Sequence, residues 1–95
     1  MDIASQPFTV LTTADETLRA IAEVCRRRGA RAWLFGSRAR GRASAASDID
    51  VAVLSDSFDE LEEEVERIET TLRIDLVNLS EPHAEGIEHA WIELV

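Results

Sequence analysis

Three aspartates and a glycine–serine pair are the residues of this chain whose types and spacing could do chemistry. Asp48 and Asp50 flank one residue at the start of Asp48-Ile49-Asp50-Val51-Ala52-Val53-Leu54, a run that alternates as a strand. Side chains two apart on a strand share a face, so both carboxylates project together, roughly 6–7 Å apart. At that separation they repel, and their proton affinities rise. A divalent cation turns the repulsion into binding, and ligands that are all oxygen suit Mg²⁺ or Mn²⁺ rather than zinc. Asp75 lies in another apolar segment, residues 73–79. If that segment pairs beside 48–54 in suitable register, Asp75 completes a three-carboxylate cluster. Such a cluster can hold two metal ions about 3.5–4 Å apart, as in-line phosphoryl transfer requires.

Gly36 and Ser37 follow the apolar run Ala32-Trp33-Leu34-Phe35. A glycine at a strand end lets backbone N–H groups approach a phosphate, and the Ser37 hydroxyl adds a donor. Arg38, Arg40 and Arg42 bring positive charge, and arginine binds phosphate oxygens bidentately. Arg38, beside the serine, is the first candidate for that contact. All ten basic residues are arginines. The absence of lysine removes P-loop, Schiff-base and kinase-type chemistry. Phosphate donors together with a carboxylate cluster point to nucleotidyl transfer from a nucleoside triphosphate.

Gly36-Ser37, ten intervening residues and then Asp48-x-Asp50 resembles the signature of the DNA polymerase beta-type nucleotidyltransferases. The fuller run from Leu34 through Gly41, with Ser47-Asp48-Ile49-Asp50, is similar to the minimal nucleotidyltransferase (MNT) group. The resemblance implies a single α+β domain over residues 1–95, a small mixed sheet with helices packed on it. It implies that Asp48, Asp50 and Asp75 are catalytic and ligate two Mg²⁺ ions, Mn²⁺ being an alternative. Asp75 then also helps deprotonate the acceptor hydroxyl, and Gly36 and Ser37 hold the triphosphate of ATP. Members of this group pair with a HEPN-domain ribonuclease toxin as its antitoxin, in some cases by attaching AMP to a toxin tyrosine. The expected partner is therefore such a toxin, in a hetero-oligomer. Larger relatives add a domain that grips the acceptor; a chain of 95 residues leaves no room for one, so the partner is expected to supply that site.

The elements that must position these residues are legible in outline. Thr13-Ala14-Asp15-Glu16 matches a capping box, and Leu18, Ile21, Ala22 and Cys25 follow at helical spacing. Arg26, Arg27 and Arg28 suit the C-terminal end of that helix, and Gly29 suits its cap. Residues 32–35, 48–54 and 73–79 read as strands, with a brief helical turn over 37–41. Ser57-Phe58-Asp59-Glu60 reads as a second capping box, opening an amphipathic helix over 57–72 with Phe58, Leu61, Val65, Ile68 and Leu72 inward and Glu62, Glu63, Glu64, Glu66 and Glu69 outward. Residues 84–94 read as a last helix carrying Ile87, Trp91 and Leu94. Residues 1–7 read as a loose arm, with Phe8, Val10 and Leu11 tucking against the core.

The net charge of −9 is uneven: residues 1–42 carry +4 and residues 43–95 carry −13. A strongly acidic half argues against direct binding to DNA and suits metal ions or a basic partner. The single cysteine excludes an internal disulfide, and Cys25 on the apolar helix face reads as a buried thiol. No apolar run is long enough to span a membrane, so a cytoplasmic setting is expected. His83 and His89 read as surface residues, and Trp33 and Trp91 as core or interface anchors. Two other functions remain open: a non-catalytic module that neutralises its partner by masking it through the glutamate-rich helix, and a transferase acting on a small molecule such as an antibiotic.

Overall fold

The computed structural model describes residues 10–79 and 91–95. Helix α1 (Ala14–Arg27) leads into strand β1 (Arg31–Phe35), strand β2 (Ile49–Leu54), helix α2 (Phe58–Glu66), strand β3 (Ile74–Asn78) and the two-residue strand β4 (Ile92–Glu93). The sheet order is β3-β2-β1-β4. β1 runs antiparallel to β2 and β4, whereas β2 and β3 are parallel, with α2 in the connection between them. Among the described residues the architecture is a mixed four-stranded sheet with two helices, an α+β domain.

Alternation divides the sheet into two faces. Ala32, Leu34, Ile49, Val51 and Val53 pack with Ile21, Val24 and Cys25 of α1 and with Leu61 and Val65 of α2. Removing each large aliphatic side chain of this set from water contributes about 1.5–3 kcal/mol. The opposite face carries Trp33, Phe35, Asp50, Ala52, Asp75 and Val77, and no helix among the described residues covers it.

α1 forms as its caps require. The Thr13 hydroxyl accepts from the Glu16 N–H at 3.2 Å, and it also donates to the Glu16 carboxylate at 3.1 Å. At the other end Gly29 N–H reaches Arg26 O and Ala30 N–H reaches Cys25 O, closing a Schellman motif around Gly29 at φ 69°. Arg27 and Arg28 each meet Glu64 at 2.7 Å, tying the end of α1 to α2.

Four expectations are corrected. α2 ends at Glu66 rather than 72. The chain there turns to pair with Leu11, which donates to Glu69 O at 2.8 Å and accepts from Thr71 N–H at 2.9 Å. Thr70 meanwhile bonds the buried Thr17 hydroxyl at 2.8 Å. Ile68 and Leu72 still pack on the core, from non-helical backbone. Ser57 precedes α2 but makes no side-chain cap bond. Within the predicted last helix, residues 91–94 are not helical, because Ile92 and Glu93 pair with the otherwise open edge of β1. Leu11 is half-buried, but Val10 is 47% exposed rather than tucked in. The arm over 1–7, Phe8, residues 84–90, His83 and His89 lie outside the described residues.

Candidate active site

The predicted carboxylate pairing is present. In the parallel β2–β3 ladder Asp50 and Asp75 are direct partners, so both side chains leave the same open face one strand apart. The Asp50 carboxyl is pushed above its ordinary range, first by partial burial, then by the negative charges of Asp75 and Asp48 and a hydrogen bond with Asp75, with Arg38 opposing. Asp48 sits exposed just before β2. It acts on Asp50 electrostatically, yet among the described residues no three carboxylate, histidine or cysteine groups converge on one point. Arg73 makes a 3.4 Å ion pair with Asp75 at the exposed edge, a contact of little net worth in water.

Gly36 stands against this pair. Its φ of 79° lies in the left-handed region. A Cβ at that position would collide with the Asp50 carboxylate and lie 3.3 Å from the Asp50 Cβ. The glycine therefore makes room for a carboxylate, a requirement distinct from the phosphate approach read from the sequence. Residues 36–41 form the expected turn, closed by Arg40 N–H to Gly36 O at 3.2 Å and Arg42 N–H to Ser37 O at 2.9 Å. Among the described residues, the Ser37 hydroxyl and the N–H groups of Ser37, Arg38 and Ala39 enter no hydrogen bond of this turn. They remain available to an anion.

Arg38 reaches into the loop that follows the turn. Its Nη2 donates to Ser47 O at 2.5 Å and to Ala45 O at 3.1 Å, so the guanidinium spans the loop that leads into Asp48. Its Nε is buried without a hydrogen-bond partner among the described residues. The side chain thus braces the loop and acts on Asp50 through charge.

The donor set fits a divalent cation. Every candidate ligand is a carboxylate oxygen, two of them are held together by strand pairing, and their repulsion is what a bound cation would relieve. Asp50 and Asp75 would hold it, with Asp48 within electrostatic reach.

One contact at this site was not foreseen. The Phe35 and Trp91 rings stack with centroids 4.9 Å apart and planes at 28°. Phe35 is the cross-strand partner of Asp50, so the aromatic pair continues the line of the carboxylates. A helical reading of 91–94 hid this. The alternation of Trp91 and Glu93 against Ile92 and Leu94 was the signal that could have found it. Trp33 lies on the same face, with Arg31 over its ring at 5.0 Å.

Residues 19–93 match the family described as polymerase beta, nucleotidyltransferase. Among solved structures the chain is similar to a candidate nucleotidyltransferase from Sulfolobus solfataricus, with 21% identity and a TM-score of 0.50, over 83% of this chain and 79% of that one. At that identity the likeness speaks for the fold alone. No curated protein matches the chain. Among the described residues no helix is long and apolar enough to cross a membrane.

Proposed function

The chain belongs to the polymerase beta nucleotidyltransferase family, and on that premise we propose that it transfers AMP from ATP to a tyrosine hydroxyl of a HEPN-domain ribonuclease toxin, acting in the cytoplasm as that toxin's antitoxin within a hetero-oligomer. The observation that carries a catalytic reading is the Asp50–Asp75 pairing, with Gly36 shaped to admit the Asp50 carboxylate. A domain that had lost its chemistry would have no need to hold two repelling carboxylates together.

In this reading Asp50 and Asp75, with Asp48 beside them, would hold Mg²⁺ or Mn²⁺, two ions in all, and the metal would supply charge neutralisation to the triphosphate and acidity to the acceptor hydroxyl. The Ser37 hydroxyl and the free N–H groups of the turn bind phosphate oxygens. Arg38 keeps the loop before Asp48 in place and adds positive charge. The acceptor oxygen attacks the α-phosphorus, the bond to the β-phosphate oxygen breaks, and pyrophosphate leaves. Asp75 takes the hydroxyl proton.

The test is incubation with α-labelled ATP, Mg²⁺ and the HEPN partner. Label is expected on the partner and is expected to vanish with Asp50→Asn. An unlabelled partner, with Asp48→Asn indistinguishable from the parent, overturns the reading. Masking without chemistry is favoured by one observation: Glu62, Glu63, Glu66 and Glu69 have no cationic partner among the described residues. Protection from the toxin that survives Asp50→Asn but is lost on charge reversal over 62–69 would select it.

A further inference from the structure

We propose that the stacked Phe35–Trp91 pair is the platform on which the base of the nucleotide lies, an inference that rests on the nucleotidyltransferase reading above. The strand pairings place Asp75, Asp50 and Phe35 in one transverse row across β3, β2 and β1, and the ring contact adds Trp91 beside the fourth strand. Strands lie about 4.8 Å apart, so Trp91 stands two spacings from Asp50, about 10 Å along the row. That matches the span of a nucleotide from an α-phosphate at the carboxylates, across its ribose, to its base. The row is on the face that no described helix covers, and both rings are only half-buried.

Trp33 is the other large aromatic on this face. It lies two residues further along β1, and the Arg31 guanidinium already occupies its ring. Phe35 and Trp91 hold each other in an offset stack, which fixes the platform before a ligand arrives. Stacking is tolerant of base identity because every base has a π-face. The platform therefore favours purines over pyrimidines by ring area, and discriminates little between adenine and guanine.

The test uses the full chain carrying Trp33→Phe, in which Trp91 is the sole indole. Mg²⁺·ATP is expected to quench its fluorescence. Mg²⁺·tripolyphosphate, which has no base, is expected to compete with ATP without quenching. Trp91→Leu and Phe35→Leu, each checked by circular dichroism for retained fold, are expected to weaken ATP binding roughly 5- to 150-fold, the range of base–aromatic stacking. Tripolyphosphate binding should stay unchanged. If either folded variant binds ATP as the parent does, or loses ATP and tripolyphosphate equally, the platform is overturned while the transferase reading stands. Unchanged ATP affinity with a raised KM for the acceptor would also overturn it, by giving the rings to an aromatic acceptor side chain. Failure of the parent to bind either triphosphate overturns both readings.

Discussion

Replacing Gly36 with alanine separates the backbone role of this glycine from its role beside Asp50. An alanine in the left-handed region costs roughly 1–2 kcal/mol. Gly29, at φ 69°, carries the same backbone demand, but a Cβ there meets nothing within 4 Å. Gly29→Ala is thus the backbone-only control. At Gly36 the new methyl overlaps the Asp50 carboxylate and lies 3.2 Å from its Cγ, so the carboxylate must leave its present position. Forced repacking of this kind adds about 1–3 kcal/mol. The total is roughly 2–5 kcal/mol against 1–2 for the control, and each kcal/mol moves Tm by about 4–8 °C in a domain of this size. A ligand group displaced by about 1 Å costs on the order of 100-fold in rate. Urea unfolding followed by tryptophan fluorescence measures the first effect. Label transfer from ATP, at a temperature where both variants stay folded, measures the second. Gly29→Ala should keep the parent's transfer rate, and Gly36→Ala should lose about two orders of magnitude. Equal unfolding midpoints, with transfer retained in both, would refute the reasoning.

Asp50 binds its proton more tightly in the folded chain than at its ordinary value of 3.8, so its ionisation opposes folding. The penalty is absent below that value and complete once pH exceeds the raised one. In metal-free buffer Asp50→Asn should therefore raise Tm at neutral pH, give no gain at pH 3, and abolish transfer; a lowered Tm at neutral pH contradicts this. Burial pushes the Cys25 thiol up, so a disulfide reagent should label it only as the domain opens, at a rate that climbs with urea. Immediate stoichiometric labelling in native buffer would show the packing to be wrong. Leu61 is fully buried, and Leu61→Ala should cost about 2–5 kcal/mol. Leu54, 45% exposed, should tolerate alanine within about 0.5 kcal/mol; equal losses in denaturant melts would contradict the placement of the core.

The elements nearest the carboxylates were the most legible. Periodicity found α1, and short apolar runs found three strands, although β3 is only half-buried along its length; the Thr13 cap and Gly29 stop have strong local chemistry. The pairing of Asp50 with Asp75 needed β2 and β3 to lie side by side in one register, which their apolar alternation favours. The end of α2 was not legible. Ile68 and Leu72 continue the helical spacing, but unpaired acids oppose the dipole at that end, and Leu11 draws residues 69–71 into extended pairing. Residues 91–94 fit either period, and the free edge of β1 decided between them. Arg38 was read by proximity to Ser37, whereas its length lets it reach Ser47 and Ala45 across the loop. Each of these depends on a contact distant in sequence.

The transverse row has a consequence for how the chain can change in length. One residue added or removed within Ile49–Leu54 turns Asp50 toward the helix-covered interior and brings an apolar neighbour out in its place. A carboxylate stranded there unpaired costs several kcal/mol, a large share of the stability of a domain this small. An insertion near residues 42–44 only lengthens a surface loop, at a few tenths of a kcal/mol. Length variants sorted for nothing but a folded domain should thus emerge with Asp50 and Asp75 still side by side, so that screening for solubility already screens for the site.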